Sequence, residues 1–231
     1  MTLKNQTCDL KSCFLCRNSL PDWIAAISHN KKNLVLKKGQ TLFTEGDAVK
    51  GIYFVYDGII KVHKNWNKDK EIILRFATRG DIVGHLGLGD GAAYPVSATA
   101  VEQTVLCFID MPFFESSLNI NGSLVKQLMR FFANELYQAE EKVKNLVHMP
   151  VKARIAQALL RLDEQFSTDE EGYLGIELSR QNLASFSGTI YETLFRVVNE
   201  LTAEGIIKTN GRSMMICDKS ALEQIIALEN N

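Results

Sequence analysis

The stretch "SRQNLASFSGTIYETLFRVVNELTAEGIIKTNGRSMMIC", residues 179–217, carries the strongest structural pattern in the chain. Ser179 is a favoured N-cap and predicts the start of a short helix, which Gly188 ends in a tight turn. A longer helix follows from about Ile190, and Asn210-Gly211 is a typical hairpin turn. Two helices joined by a glycine-containing turn and followed by a β-wing predict a winged helix-turn-helix.

The second helix of this motif carries candidate base-reading groups. Glu192 and Arg196 are four residues apart and therefore share one helix face. An arginine fork matches the O6 and N7 acceptors of guanine, and a glutamate accepts from the cytosine amino group. Ser179, Arg180 and Thr193 are predicted to contact phosphates, which position a protein on DNA without specifying the sequence.

A purely structural interpretation of the same residues stays open. Thr189 and Glu192 fit a capping box, and Glu192 and Arg196 fit an ordinary i,i+4 ion pair on a solvated face. The helix-turn-helix context favours the DNA-reading interpretation.

A long helix is predicted upstream, between residues 121 and 148. Its apolar residues alternate at spacings of four and three, a heptad pattern that predicts pairing with a second copy. The predicted seam contains Val125, Met129, Phe132, Leu136, Ala139, Val143 and Leu146. A helix packed on its own domain is the alternative. In a parallel pair Glu135 faces Glu140 of the second copy, so acidic repulsion is expected to weaken the dimer. The alternative is that the two carboxylates turn into solvent at little energetic cost.

Residues 34–110 alternate short β-branched or aromatic runs with turn signals at Gly39, Gly46, Asp57-Gly58 and Gly80-Asp81. This spacing predicts an antiparallel barrel or double-sheet roll. The fold class is therefore α+β. The predicted divisions are an N-terminal segment (1–20), a β-roll (21–120), a dimerisation helix (121–148) and a winged helix-turn-helix (149–231).

Composition restricts the partners and the compartment. The formal net charge is -1, and residues 150–231 hold 8 basic against 12 acidic side chains, so DNA contact must rest on a local basic face. No apolar run reaches the length of a membrane span, and the polar start lacks a signal peptide, which predicts a cytoplasmic protein without membrane contact.

Three cysteines lie within nine residues, in "CDLKSCFLC" (residues 8–16), and the chain otherwise holds Cys107 and Cys217. In a reducing compartment, clustered thiols are more often metal or redox groups than structural disulfides. From the residues alone, these cysteines either bind a metal or have no such role.

The combined motifs resemble the Crp/Fnr family of bacterial transcription regulators over essentially the whole chain. They are "KKGQTLFTEGDAVKGIYFVYDGIIKV", "RGDIVGHLGL", "SRQNLASFSGTIYETLFRVVNEL" and the wing "EGIIKTNGR". The resemblance implies a cyclic-nucleotide-binding-like roll, a double-stranded β-helix. It also implies a DNA-binding homodimer that contacts RNA polymerase. The glutamate-arginine motif of the family falls on Glu192 and Arg196 and implies a TGA-type palindrome, whereas Phe195 departs from the small residue common there.

The resemblance also bears on the effector. Cyclic-AMP receptor proteins of the family grip ribose with a glutamate in "GELGL" and phosphate with an arginine-serine pair. Here His85 and Tyr94 occupy about those positions, and no lysine or arginine lies between Gly80 and Val125. A cyclic nucleotide carries a phosphate charge, so an effector pocket near His85 and Tyr94 is expected to take something other than cyclic AMP.

The stretch "YPVSATAVEQTVLCFI" resembles the fumarate and nitrate reductase regulator branch more than the cyclic-AMP branch. In that branch, a cysteine at this place and three N-terminal cysteines hold an oxygen-labile 4Fe-4S cluster. The corresponding residues here are Cys8, Cys13, Cys16 and Cys107, although the longer gap between the N-terminal cysteines comes first, unlike in the branch. The alternatives are that these four cysteines bind zinc or that they bind nothing.

Other classes of function fit less well. A metal-dependent oxygenase built on the roll requires clustered histidines and carboxylates, and the chain has no His-x-His pattern, so no enzyme is predicted. A sensor of an unidentified small molecule in the roll, or a scaffold that does not bind DNA, are the alternatives. Basic positions in the winged motif argue against the scaffold, namely Arg180, Arg196, Lys208 and Arg212.

Overall fold

The computed structural model describes residues 9–66 and 70–228. The chain forms two units, and the division falls between Tyr137 and Gln138. It therefore falls inside the long helix, which the sequence pattern sets apart as a segment of its own, 121–148. The two units are described in turn.

Short helices begin the first unit. They are α1 (Phe14–Asn18), a 3-10 turn (Pro21–Trp23) and α2 (Ile24–Asn30). Leu15 and Ile27 are fully buried. Leu20 donates its backbone N–H to the side chain of Asn121 at 2.7 Å, which ties the segment to the helices that follow the roll.

Two four-stranded antiparallel sheets form the roll. The strands are β1 (Lys32–Leu36), β2 (Thr41–Phe43), β3 (Gly51–Asp57), β4 (Ile60–Asn65), β5 (Glu71–Ala77), β6 (Ile82–Val83), β7 (Ser97–Ala100) and β8 (Thr104–Asp110). One sheet has the order β1-β8-β3-β6, and the other has the order β2-β7-β4-β5. Gly39, Gly46, Gly58 and Gly80 all have positive φ, so the predicted turns are confirmed.

Two apolar clusters stabilise this unit. The inner cluster fills the roll and includes Phe43, Tyr53, Tyr94 and Leu106. The outer cluster packs the N-terminal helices against one sheet and includes Phe14, Phe54 and Phe114. Burial of aromatic side chains of this size is the main stabilising term for each layer.

The strands lead into α3 (Met111–Ile120) and α4 (Gly122–His148). Asp110 caps α3 by accepting the Phe113 N–H at 3.0 Å. Residues of α4 up to Tyr137 belong to the first unit, and those from Gln138 belong to the second.

The second unit continues with α5 (Val151–Phe166), α6 (Arg180–Ser187), α7 (Tyr191–Ala203), β9 (Ile207–Asn210), β10 (Ser213–Ile216) and α8 (Lys219–Leu228). Strands β9 and β10 form the predicted hairpin. The core is built from apolar faces of the helices, with Leu159, Leu183, Leu201 and Leu222 fully buried. This arrangement confirms the winged helix-turn-helix.

Among the described residues, no helix combines the length and the apolar character that crossing a membrane requires.

Candidate nucleic-acid interface

The helix-turn-helix is formed by α6, Gly188 and α7. Ser179 caps α6 as predicted, and its side chain accepts the Asn182 N–H at 3.1 Å. Gly188 ends α6 in the left-handed conformation, with φ of 68°. A Cβ there would lie 2.4 Å from Leu146 Cδ2, so the turn requires glycine both for its conformation and for space.

Helix α7 buries one face and exposes the other. Leu194, Val197, Val198 and Leu201 pack into the core of the second unit. Their spacing leaves Glu192 and Arg196 on the solvent side, where both side chains are exposed. The structure therefore places the two predicted base-reading residues on one accessible face.

The ion pair on this face is not the Glu192–Arg196 pair that the purely structural interpretation expects. Arg196 Nη1 donates to Glu200 Oε1 at 2.7 Å, so the arginine pairs with the residue four positions later. Among the residues described, Glu192 forms no ion pair. The Thr189 capping interpretation is wrong, because Ile190 is the N-cap of α7 and provides no side-chain hydrogen bond.

The predicted phosphate contacts have different surroundings. Ser179 and Thr193 are half-buried. Arg180 donates from Nη2 to the Gly211 carbonyl at 3.3 Å, which ties α6 to the tip of the wing. Its Nη1 is buried without a hydrogen-bond partner, and burial lowers the pKa of this guanidinium. One nitrogen of the Arg180 guanidinium is thus already used to hold the wing.

Sequence reasoning missed the apolar part of this surface. Ile190, Tyr191 and Phe195 are exposed at the start of α7, and the two aromatic rings stack with centroids 6.2 Å apart. Apolar side chains on a DNA-facing helix can contact thymine methyl groups. The signal was present in the sequence as aromatic residues at an i,i+4 spacing on the polar face of an amphipathic helix.

Tyr94 lies inside the roll. Its hydroxyl donates to the Gly51 carbonyl at 2.7 Å, and its ring stacks on Phe43 at 3.9 Å. Cβ atoms at Gly84 and Gly87 would approach the Tyr94 ring to 3.3 Å, so the two glycines of "GHLGL" make room for it. The tyrosine ring therefore occupies space in the interior of the roll.

His85, between those glycines in the sequence, packs in another direction. Its ring lies 4.8 Å from Phe131 and 5.4 Å from Phe132, both on α4. Burial lowers the pKa of His85 to about 3, and the Arg75 charge acts in the same sense, so the ring is neutral at pH 7. His85 and Tyr94 belong to different side-chain clusters, and a common effector pocket stays a prediction.

Arg75 links the roll to α4. Its Nε lies 3.1 Å from Glu135 Oε2, in an orientation outside hydrogen-bond geometry, and its guanidinium lies 5.5 Å from the Phe131 ring centroid. Glu135 is therefore neutralised within its own chain. The predicted acidic repulsion between Glu135 and Glu140 of a second copy stays a prediction, and Arg75 is expected to reduce it because only Glu140 keeps an exposed carboxylate.

Apolar residues of α4 remain on the surface. Leu136 is 61% exposed and Val143 is 62% exposed, and Met129, Ala139 and Val147 are exposed with them. The predicted seam residues Phe132 and Leu146 are half-buried: Phe132 packs against His85, and Leu146 lies against the Gly188 turn. The accessible stripe is thus narrower than the predicted seam.

Three of the predicted cluster ligands line one small pocket. Cys13, Cys16 and Cys107 share it with Asp9 and Tyr56. Cys8 lies outside the described residues and directly precedes Asp9 in the sequence. Among the described residues, no group of three histidine, cysteine or acidic side chains is arranged to hold a metal ion, so these thiols form no preset cage.

The N-terminal segment is fixed beside this pocket. Asp9 accepts hydrogen bonds from Ser12 Oγ at 2.6 Å and Arg79 Nη2 at 2.6 Å, and these lower the pKa of its carboxyl group. Phe14 donates its N–H to the Gly80 carbonyl at 2.9 Å. The thiols of this segment therefore lie next to the roll.

Comparison with known proteins gives two matching domain families. Residues 33–121 match the cyclic nucleotide-binding domain, and residues 153–225 match the Crp-like helix-turn-helix domain. The chain is 26% identical to the "CRP-like cAMP-activated global transcriptional regulator" of Mycobacterium tuberculosis, over 87% of this chain and 91% of that protein. It is 27% identical to the "Fumarate and nitrate reduction regulatory protein" of Escherichia coli, over 85% of this chain and 79% of that one.

Among solved structures, FixK2 from Bradyrhizobium japonicum has a similar fold. Its TM-score is 0.75 at 22% identity, over 84% of this chain and 96% of that one. The two curated relatives differ by only one percentage point in identity, so the branch to which this chain is nearer stays a prediction.

Proposed function

Because the chain belongs to the Crp/Fnr family and is a DNA-binding transcription regulator, we propose that it binds a TGA-type palindrome as a homodimer and responds to a redox or oxygen signal. The observation that carries the proposal is the shared exposed face of Glu192 and Arg196 on α7. A palindrome matches two copies of this helix related by a twofold axis.

Base reading follows from the chemistry of the exposed pair. Arg196 presents a planar fork that fits guanine O6 and N7. Glu192, one helical turn earlier on α7, would accept a hydrogen bond from a cytosine amino group. Arg196 must leave Glu200 to do so. An exposed ion pair of this kind is worth only about 0.2 to 1 kcal/mol, which a bidentate base contact of about 1 to 3 kcal/mol exceeds.

The homodimer is supported by the surface of α4. Leu136 and Val143 lie seven residues apart and are both mostly exposed in the single chain. Heptad-spaced apolar residues left on a helix surface are typically covered by another helix. RNA polymerase is the further partner that the family implies for a bound regulator.

The redox signal is supported by the thiol pocket. Cys13, Cys16 and Cys107 line it, and thiolates are the ligands that iron-sulfur clusters use, so the residues fit this group in kind. When bound, a 4Fe-4S cluster supplies an oxygen-labile centre. Binding it there requires Cys8 as the fourth thiolate and deprotonation of the other three. Zinc would use the same four ligands without redox chemistry.

A cyclic-nucleotide effector has less support. Tyr94 occupies the roll interior with its hydroxyl hydrogen-bonded to Gly51, and "GHLGL" has His85 where a ribose-binding glutamate stands in cyclic-AMP receptors. A small molecule sensed in the roll would have to displace this ring. We therefore place the signal at the thiols.

The test is binding to a labelled TGA-type palindrome and to a scrambled duplex. We expect the parent protein to prefer the palindrome and Arg196→Ala to lose that preference, at a cost of about 1 to 3 kcal/mol per half-site. Lys208→Ala, in the wing, is the control and should weaken both duplexes equally. If Arg196→Ala discriminates as well as the parent, the assignment of α7 to base reading is wrong.

A further inference from the structure

A basic pocket lies in the second unit, between the end of α4, α5 and the end of α6. Its charged lining residues are Lys142, Arg154 and Arg161, and Asn145 and Gln157 form part of the wall. No aspartate or glutamate is among the described residues that line it. Two other cations of this unit pair with acidic side chains, Lys144 with Glu141 and Lys152 with Glu204.

The contacts of Arg154 indicate room for an anion. Its Nη1 donates to the Gly188 carbonyl at 3.0 Å, but its Nε is buried without a hydrogen-bond partner. Burial lowers the pKa of this guanidinium. A buried guanidinium N–H without an acceptor is costly, and an anion in the pocket would supply the acceptor.

Lys142 and Arg161 place two more positive charges at the same pocket. Burial lowers the pKa of Lys142 to about 8, and repulsion from Arg161 acts in the same direction, so the two cations act on each other. The ammonium also lies 5.3 Å from the Phe186 ring centroid. An anion between them would relieve this repulsion.

We propose that this pocket binds a phosphate oxyanion. Three cations converge on it, two of them arginines whose forks match phosphate oxygens, and amide groups complete the wall. Because Arg154 also holds the carbonyl of Gly188, a phosphate bound there would brace the turn between α6 and α7. The phosphate has two possible sources, either free in solution or part of a DNA backbone.

Calorimetric titration of the full chain with inorganic phosphate, at constant ionic strength set with chloride, tests the free source. We expect binding, and we expect Arg161→Gln to weaken it by about tenfold or more. Lys142→Gln should act in the same direction. Lys152→Gln removes one positive charge from the same helix outside the pocket and is the control, with an expected change below about twofold. Thermal unfolding of each variant without phosphate confirms that it folds.

Salt dependence of DNA binding tests the other source. If the pocket takes a backbone phosphate, the slope of log affinity against log salt should fall by about 0.9 in Arg161→Gln on any duplex and stay unchanged in Lys152→Gln. The calorimetric test does not involve DNA, so its result is independent of the proposed base reading. The proposal is overturned if Arg161→Gln alters neither phosphate binding nor this slope.

Discussion

Arg196 pairs with Glu200 rather than with Glu192, and this choice has a functional consequence. The Glu192 carboxylate stays exposed near the start of α7, and Glu200 would compete with DNA for the arginine if Arg196 reads bases as proposed. Glu200 also lies 4.0 Å from Lys152, so its charge is shared between two cations. Under the proposed function, Glu192 is free of Arg196 and suited to base contact, whereas Glu200 opposes the base contact of Arg196.

We expect Glu200→Gln to strengthen DNA binding. The substitution frees Arg196 and removes a negative charge near the phosphates, with a gain of about 0.2 to 1 kcal/mol per half-site. Fluorescence anisotropy on the palindrome measures it. Glu204→Gln is the matched control, because it removes the same charge beside Lys152 without touching Arg196. Equal gains in both variants would attribute the effect to general electrostatics and not to release of the arginine.

Glu71, on β5, predicts a pH dependence of stability. Burial disfavours its charged form, but hydrogen bonds from His63 and Lys61 outweigh this effect and lower its pKa to about 2. A carboxyl group with a depressed folded-state pKa stabilises the protein above its unfolded pKa of 4.5, and this stabilisation is lost as the pH falls toward 2. The relevant window is therefore acidic.

We expect Glu71→Gln to lower the free energy of unfolding by about 1 to 2 kcal/mol at pH 7, and by less at pH 3. Urea unfolding at the two pH values measures the difference. Glu115→Gln, on the exposed surface of α3, should change stability little at either pH. A cost for Glu71→Gln that is the same at pH 7 and pH 3 would contradict the assigned role of the carboxylate.

Residue-level prediction from the sequence succeeded where it depended on local spacing. The exposure of Glu192 and Arg196 follows from the helical period alone, and Ser179 caps α6 as its residue type indicates. It could not show the ion pair between Glu135 and Arg75, because Arg75 is distant in the chain. Nor could the sequence show that His85 and Tyr94 pack into different clusters, since that depends on how the roll folds against α4.

At the scale of elements, α4 illustrates a second limit. The alternating spacing of apolar residues correctly predicts a long helix. An α-helix has 3.6 residues per turn, so a strict seven-residue repeat drifts around its surface. Leu136 and Val143 stay exposed, whereas Leu146 packs against the Gly188 turn. The sequence pattern does not predict helices α1, α2, α3 and α8, because helices of ten residues or fewer carry too few turns for a periodic signal. The equally short α6 is predicted from its Ser179 cap and the glycine that ends it.

We expect Leu136→Asp to weaken dimerisation by at least about tenfold, because it places a charge in the apolar stripe of α4. Sedimentation over a dilution series measures the dissociation constant. Asn134→Asp introduces the same side chain at an exposed position about half a turn away on the helix and should leave the constant unchanged. A dimer that tolerates Leu136→Asp would place the interface elsewhere.

The Arg75–Glu135 ion pair changes a related expectation. From the sequence, Glu140→Lys would strengthen the dimer by pairing with Glu135 of the second copy. Because Glu135 is already bound to Arg75, we expect Glu140→Lys to change dimerisation little, whereas Arg75→Gln would release the Glu135 carboxylate. Sedimentation of these two variants separates the explanations, since a clear gain for Glu140→Lys alone would show that Glu135 is available to a partner.

At the scale of the whole molecule, the order of the elements along the chain is sufficient to indicate the family. The roll, the long helix and the winged helix-turn-helix each have a strong sequence pattern. The branch and the effector are harder to predict, because they depend on a few side chains in the roll. The proposed groups are Cys13 and Cys16, which lie far from Cys107 in the chain and still line one pocket with it.

The thiol pocket leads to a test of the proposed signal. Asp9 pairs with Arg79 and Phe14 donates its N–H to Gly80, so the N-terminal segment is already held on the roll. Loss of the cluster is expected to change the pocket between this segment and β8 and, through α4, to disfavour the DNA-binding dimer. Protein purified without oxygen should be brown and should bind the palindrome tightly, and air should remove the colour and weaken binding together, because one cluster accounts for both. Cys107→Ser should lose the colour, whereas Cys217→Ser, next to the wing, should keep it. Zinc content in place of colour would indicate a structural metal, and a colourless, metal-free anaerobic protein with full affinity would rule the cluster out.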